Sequence, residues 1–114
     1  MRCSAAVLLA DAIDAAESIG SIVSGTTLDE YSDTRMMRSA VERELLIIGE
    51  AMNALDAACT DARHRVTALG RVVGLRDRLA HGYDTIDDGM IWSIARDEIP
   101  RLLTELRAWL GDLA

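Results

Sequence analysis

Apolar residues recur at three- and four-residue spacing through most of the chain, and that spacing predicts helices. Between residues 5 and 23, Val7, Leu8, Ala12, Ile13, Ala16, Ile19 and Val23 form one stripe with Asp11, Asp14, Glu17 and Ser18 between them, a first amphipathic helix with Ser4 as its cap. Gly20 and then Ser24-Gly25-Thr26-Thr27 interrupt the stripe with turn chemistry, and Leu28 to Tyr31 read as a single turn packed under that loop. A second stripe, Met37, Val41, Leu45, Ile48, Met52 and Leu55, predicts a long helix capped by Ser32 or Asp33. Leu46 and Ile47 fall off this stripe, so the helix carries more apolar surface than one seam needs, and burial on two sides or contact with a second copy is expected. After a polar break from Thr60 to Arg65, a third helix is built on Val66, Leu69, Val72, Val73, Leu75 and Leu79, reaches His81 and meets Gly82, a residue that stops helices. The last stretch runs from Met90 through Ile91, Ile94, Ile99, Leu102, Leu103 and Leu106 to Leu110, and Pro100 inside it should kink or divide it.

Four helices joined by short loops predict one all-α domain over residues 1–114, arranged as an up-and-down four-helix bundle. Composition agrees: half the residues are apolar but only 4% are aromatic and there is no Phe, so the core must be Leu, Ile, Val, Met and Ala. Trp92 and Trp109 read as core or dimer-contact residues rather than platforms for stacked bases. Cys3 and Cys59 have neither the density of a disulfide scaffold nor the spacing of a zinc site, and read as reduced thiols in a cytoplasmic protein. With two histidines in all, and no telling partner for His64, no metal and no cofactor are expected. The apolar run from Ala5 to Ala10 is too short for a signal-peptide core and far short of a membrane span.

Charge changes the picture. The net charge of −7 argues against a nucleic-acid partner, because phosphate binding draws on Lys and Arg. All 12 basic residues are arginine, however, and Arg63, Arg65, Arg71, Arg76 and Arg78 fall between residues 62 and 83 with only Asp77 against them. That stretch is net +4 and the remainder −11, so one basic strip is left to meet a phosphate backbone.

The same stretch holds the candidate chemistry. Asp77 and His81, four apart on a helix, share a face on which the carboxylate can hold one imidazole nitrogen and leave the other for proton transfer. Arg78 is three residues from His81 and the nearer arginine by spacing alone. Arg76 and His81, five apart, lie about 140° around the axis and do not meet on one straight helix. Either the chain turns at His81, or a second copy completes the site.

Arg76-Asp77-Arg78-Leu79-Ala80-His81-Gly82-Tyr83 resembles the arginine, four residues, histidine, one residue, tyrosine signature of the HepT group within the HEPN superfamily, small helical proteins found beside a minimal nucleotidyltransferase of the MntA type. Ile48-Gly49-Glu50-Ala51-Met52-Asn53 is similar to the family's glycine-glutamate-alanine segment on the second helix, and Ile91-Trp92 with Pro100 to its last helix. Two features depart from the pattern. Arg65-Val66-Thr67-Ala68 stands where the family often has a proline and a tryptophan, and Asp77 stands where asparagine is common.

The resemblance implies a HEPN-like fold and metal-independent RNA cleavage in a cleft shared by two subunits, as the toxin of a type VII-like toxin-antitoxin pair. It gives His81 the proton transfers and Arg76 the charge on the phosphate, with Asp77 and Arg78 in support. It makes Tyr83 the residue to which an MntA-like antitoxin transfers AMP, silencing the toxin by charge and bulk at the mouth of the site. Glu50 and Asn53 share a face of the second helix, where they support the cleft or make an interhelical hydrogen bond. The alternative is a non-catalytic helical partner, or a substrate-binding subunit, of the nucleotidyltransferase.

Overall fold

The computed structural model describes residues 5–82 and 86–113. All regular structure among them is helical: α1 (Ala6–Val23), α2 (Leu28–Asp33), α3 (Arg35–Ala58), α4 (Ala62–Arg65), α5 (Leu69–His81), α6 (Asp88–Ser93), a π-helical turn (Ile94–Glu98) and α7 (Ile99–Asp112). The all-α, HEPN-like class expected from the spacing is therefore observed.

α1 packs against both α3 and α7, and α3 against both α1 and α5, so the long helices neighbour one another in the order α7, α1, α3, α5. The molecule measures 47 × 28 × 19 Å, a flattened bundle in which α5, the helix that carries the candidate chemistry, lies at one end of the row with α3 as its main partner. α3 can serve two neighbours because its apolar surface is wider than one seam. Val41, Leu45, Ile48, Met52 and Leu55 are buried, while Leu46 and Ile47 are half-buried and line a groove with Leu8 of α1.

Several local expectations need correction. Gly20 does not interrupt α1, which runs on to Val23; the turn comes at Gly25, whose φ of 72° favours glycine. The inward stripe of α1 is Leu9, Ala12, Ala16, Ile19 and Val23, while Val7 is 71% exposed. Ser4, the expected cap, lies outside the described residues. The expected turn at Leu28 is a complete short helix, held by a capping box in which the Thr27 hydroxyl accepts from the Glu30 N–H and the Glu30 carboxylate accepts from the Thr27 N–H. That helix absorbs Ser32 and Asp33, and Thr34 takes the cap position of α3 instead. Cys59, buried where α3 ends, is disulfide-bonded, which overturns its reading as a reduced thiol; the only other cysteine, Cys3, lies outside the described residues.

Pro100 divides the last helical stretch, as its missing N–H requires. The break falls just ahead of it: the Ile99 N–H donates to the Ile94 carbonyl five residues back, and this wider turn makes room for the ring where it would strike the Arg96 carbonyl. Pro100 then sits in the first turn of α7, where no N–H is needed.

Tyr31 of α2 is fully buried against Trp92, with ring centroids 5.6 Å apart, and the Arg96 guanidinium lies over the Trp92 ring, 5.8 Å from its centroid. Its hydroxyl has no hydrogen-bond partner among the described residues. Burial, and then the nearby Glu42 and Asp88 carboxylates, push that phenol well above its ordinary range, so it stays protonated as an unused donor. Tyr31→Phe is expected to stabilise the fold by about 1 kcal/mol, since it removes an unsatisfied polar group and keeps the ring contacts. Thermal and urea melts check this.

Candidate active site

Helix α5 begins after the α4 turn and is drawn to α3 by Leu69 and Leu75, both buried, and by the half-buried Val72, Val73 and Leu79. It ends at His81, and Gly82 adopts φ −129°, so the stop does not use glycine's left-handed freedom. The Gly82 N–H closes the helix on the Arg78 carbonyl at 2.8 Å.

The approach of α5 to α3 is closest at Gly49. A Cβ there would lie 2.3 Å from the Cβ of Arg76, 3.0 Å from its Cγ and 3.3 Å from its Cα, closer than atoms can pack. Only glycine lets the Arg76 backbone rest on α3. From that root the side chain meets two carboxylates: Arg76 Nε donates to Glu50 Oε1 at 2.9 Å and Nη1 donates to Asp77 Oδ1 at 2.8 Å. The Arg76 side chain is 27% exposed, whereas those of Glu50 and Asp77 are 56% and 61% exposed. The Glu50 hydrogen bond and charge, with Asp77 adding to them, hold the guanidinium even more firmly protonated than usual. Of its five N–H groups, two are taken by these carboxylates and three have no partner among the described residues.

Asp77 therefore bonds to Arg76, not to His81 as the four-residue spacing suggests. His81 is exposed at the helix end and makes no side-chain hydrogen bond among the described residues. Because α5 is one regular helix through Arg76 and His81, the chain does not turn between them, and within one protomer they stay on different sides of the axis. Arg78 is exposed and donates from Nη1 to the Met90 sulfur at 3.5 Å, linking α5 to α6. Tyr83, the candidate modification site, lies outside the described residues. Asp87, just beyond, caps α6 by accepting from the Gly89 and Met90 N–H groups.

The basic strip is less basic than its sequence. Arg63 pairs with Asp56, Arg65 with Asp61 and Asp112, Arg71 with Glu98, and Arg76 with Glu50 and Asp77. Four of these carboxylates, Glu50 and Asp56 of α3, Glu98 of the π-helical turn and Asp112 at the end of α7, lie outside the stretch on other elements, so charge counted along the chain hid them. Glu50 is the residue on which sequence reasoning left two roles open, and the bond to Arg76 is interhelical and at the site at once. Asn53, one turn further on, is exposed. Among the described residues no cluster of His, Cys, Asp and Glu is arranged to hold a metal, and no helix is long and apolar enough to cross a membrane.

An all-α bundle carrying an arginine and a histidine five apart at the end of one helix, the arginine seated on a glycine-glutamate step of its neighbour, is a protein of the HEPN type. Residues 12–109 match the family described as Ribonuclease HepT-like, and the chain belongs to that family. It is similar to two proteins of Methanocaldococcus jannaschii: "Putative RNase MJ1380", 30% identical over 86% of this chain and 89% of that one, and "Putative RNase MJ0127", 29% identical over 92% and 86%. It is also similar to "Putative RNase TTE0752" of Caldanaerobacter subterraneus, 28% identical over 75% of each chain. No solved structure matches it. The chain is a ribonuclease of the HepT-like kind.

Proposed function

We propose that this ribonuclease cleaves RNA internally without a metal, in a groove formed where two copies bring their α5 ends together, and that it is the toxin of a toxin-antitoxin pair. The observation that carries the reading is the seating of Arg76: rooted on Gly49, held by Glu50 and Asp77, and left with three N–H groups for a phosphate. RNA carries its own nucleophile. The 2′-hydroxyl attacks the adjacent phosphorus, a base takes its proton, the bond to the 5′-oxygen breaks, and an acid returns a proton to that leaving oxygen. His81 suits both transfers because an imidazole has one ring nitrogen that can take a proton and one that can give it. Arg76 offsets the charge that builds on the phosphate oxygens. Two copies unite groups that one helix holds about 140° apart: each of two symmetry-related grooves takes a guanidinium from one copy and an imidazole from the other.

Silencing falls to Tyr83. Its phenolic oxygen would attack the α-phosphate of ATP on a partner nucleotidyltransferase of the MntA type, releasing pyrophosphate and leaving AMP beside the His81 site, where its charge repels RNA. The setting is cytoplasmic, where RNA and ATP both occur. The purified, unmodified protein is expected to cut single-stranded RNA in excess chelator, leaving 2′,3′-cyclic phosphate and 5′-hydroxyl ends. Treatment with the nucleotidyltransferase and ATP should stop the cutting, and Tyr83→Phe should escape that block. Loss of cutting in chelator would remove the metal-independent mechanism. The alternative, a non-catalytic partner of the nucleotidyltransferase, draws support from the carboxylates paired with four arginines of the basic strip. It predicts co-purification with that enzyme and no RNA cleavage under any condition.

A further inference from the structure

We propose that Glu50 is the positioning residue for Arg76: its carboxylate on α3 aims the guanidinium at the scissile phosphate before RNA arrives. The inference rests on the nuclease reading above. An arginine side chain has about 2 kcal/mol of rotamer freedom to lose, and an exposed one that must be ordered by its substrate loses it at the moment of binding. Here two successive residues of α3 remove that freedom in advance. Gly49 sets where the side chain starts, since any Cβ would push the Arg76 Cβ away from 2.3 Å. Glu50, the next residue, sets where it goes by accepting from Nε at 2.9 Å. The two anchors come from another helix, so they fix the fork relative to the bundle rather than to α5 alone.

The charge of Glu50 makes the role specific. A carboxylate beside a phosphate site opposes RNA binding, so attraction of the substrate does not account for it. What it supplies is direction. Glu50 takes the Nε hydrogen and Asp77 takes one hydrogen of Nη1, leaving both hydrogens of Nη2 and the second of Nη1 for phosphate oxygens. Removing Glu50 should therefore lower turnover without weakening binding, a pattern that neither a fold defect nor lost attraction produces.

The test is steady-state cleavage of one defined single-stranded RNA by the wild type, Glu50→Ala, Glu50→Gln, Arg76→Ala and the double variant Glu50→Ala with Arg76→Ala, each also melted thermally. Glu50→Ala is expected to lower kcat by about 10- to 100-fold with KM equal to or below that of the wild type. Glu50→Gln keeps an oxygen that accepts from Nε and is expected to restore most of that loss. In the Arg76→Ala background, Glu50→Ala is expected to cost nothing more. A wild-type kcat for Glu50→Ala, a rise in KM alone, or a Glu50→Gln variant as slow as Glu50→Ala overturns the positioning role and leaves the nuclease reading standing if Arg76→Ala is inactive. Full cleavage by Arg76→Ala overturns the catalytic role given to Arg76, and with it the mechanism on which the positioning role rests.

Discussion

His81→Ala is expected to lower RNA cleavage by about a thousandfold, within the range that a positioned general acid or base contributes, while leaving the helical spectrum and melting temperature of the protein unchanged. The two halves of this result come from the same feature. His81 is the last residue of α5, exposed and without a side-chain hydrogen bond among the described residues, so nothing in the fold depends on the imidazole. Its value lies in proton transfer alone. A histidine held in a packed core or in a buried network would cost stability when removed, and a loss of activity would then be ambiguous. Here cleavage assays and circular dichroism on the same preparation separate the two, and cleavage at the wild-type rate would take His81 out of the chemistry.

The second large effect is expected at Gly49. An alanine in place of glycine inside a helix normally stabilises it, by about 0.5–1 kcal/mol. Gly49→Ala should do the reverse, because the added methyl meets the Cβ and Cα of Arg76 and the two helices must separate. Overpacking of this kind costs about 1–3 kcal/mol. The displacement also carries Arg76 off its seat, so cleavage should fall along with stability. Gly20 in α1 and Gly74 in α5 are the controls: a Cβ at either meets nothing within 4 Å, and alanine there should stabilise. Urea melts of the three variants give the comparison, and a stabilised, fully active Gly49→Ala would show that the close approach of α5 to α3 has no consequence.

How much of this was readable beforehand follows from the range of each interaction. The helices were, because their signal is a spacing of three and four: the stripe from Val41 to Leu55 is buried as its pattern predicts, and α5 ends at His81 beside Gly82. The division near Pro100 was readable too, since a missing N–H is a local property. The π-helical turn that accommodates it was not, because it depends on how the preceding carbonyls rearrange. The cap of α3 moved to Thr34 because the Thr27–Glu30 box claims the residues before it for α2.

At the site, the pair Arg76 and His81 stands out by spacing and by its resemblance to a known signature. The reason for Gly49 and Glu50 does not, because they lie a helix away in sequence and meet Arg76 only through packing. The same limit misled the charge count. Arginines clustered between residues 62 and 83 look like a phosphate-binding strip until Asp56, Glu98 and Asp112 fold against them. RNA affinity should consequently depend on few phosphate contacts and fall only gently with salt.

That Arg76 and His81 serve one groove is the claim from which the rest follows, and subunit mixing tests it most directly. Arg76→Ala and His81→Ala, each inactive alone, are unfolded together, refolded at equal concentration and assayed on single-stranded RNA. If each groove takes its guanidinium from one copy and its imidazole from the other, half the dimers are mixed and each carries one intact groove, so about a quarter of wild-type activity returns. Mixed dimers that form and remain inactive would contradict the shared groove.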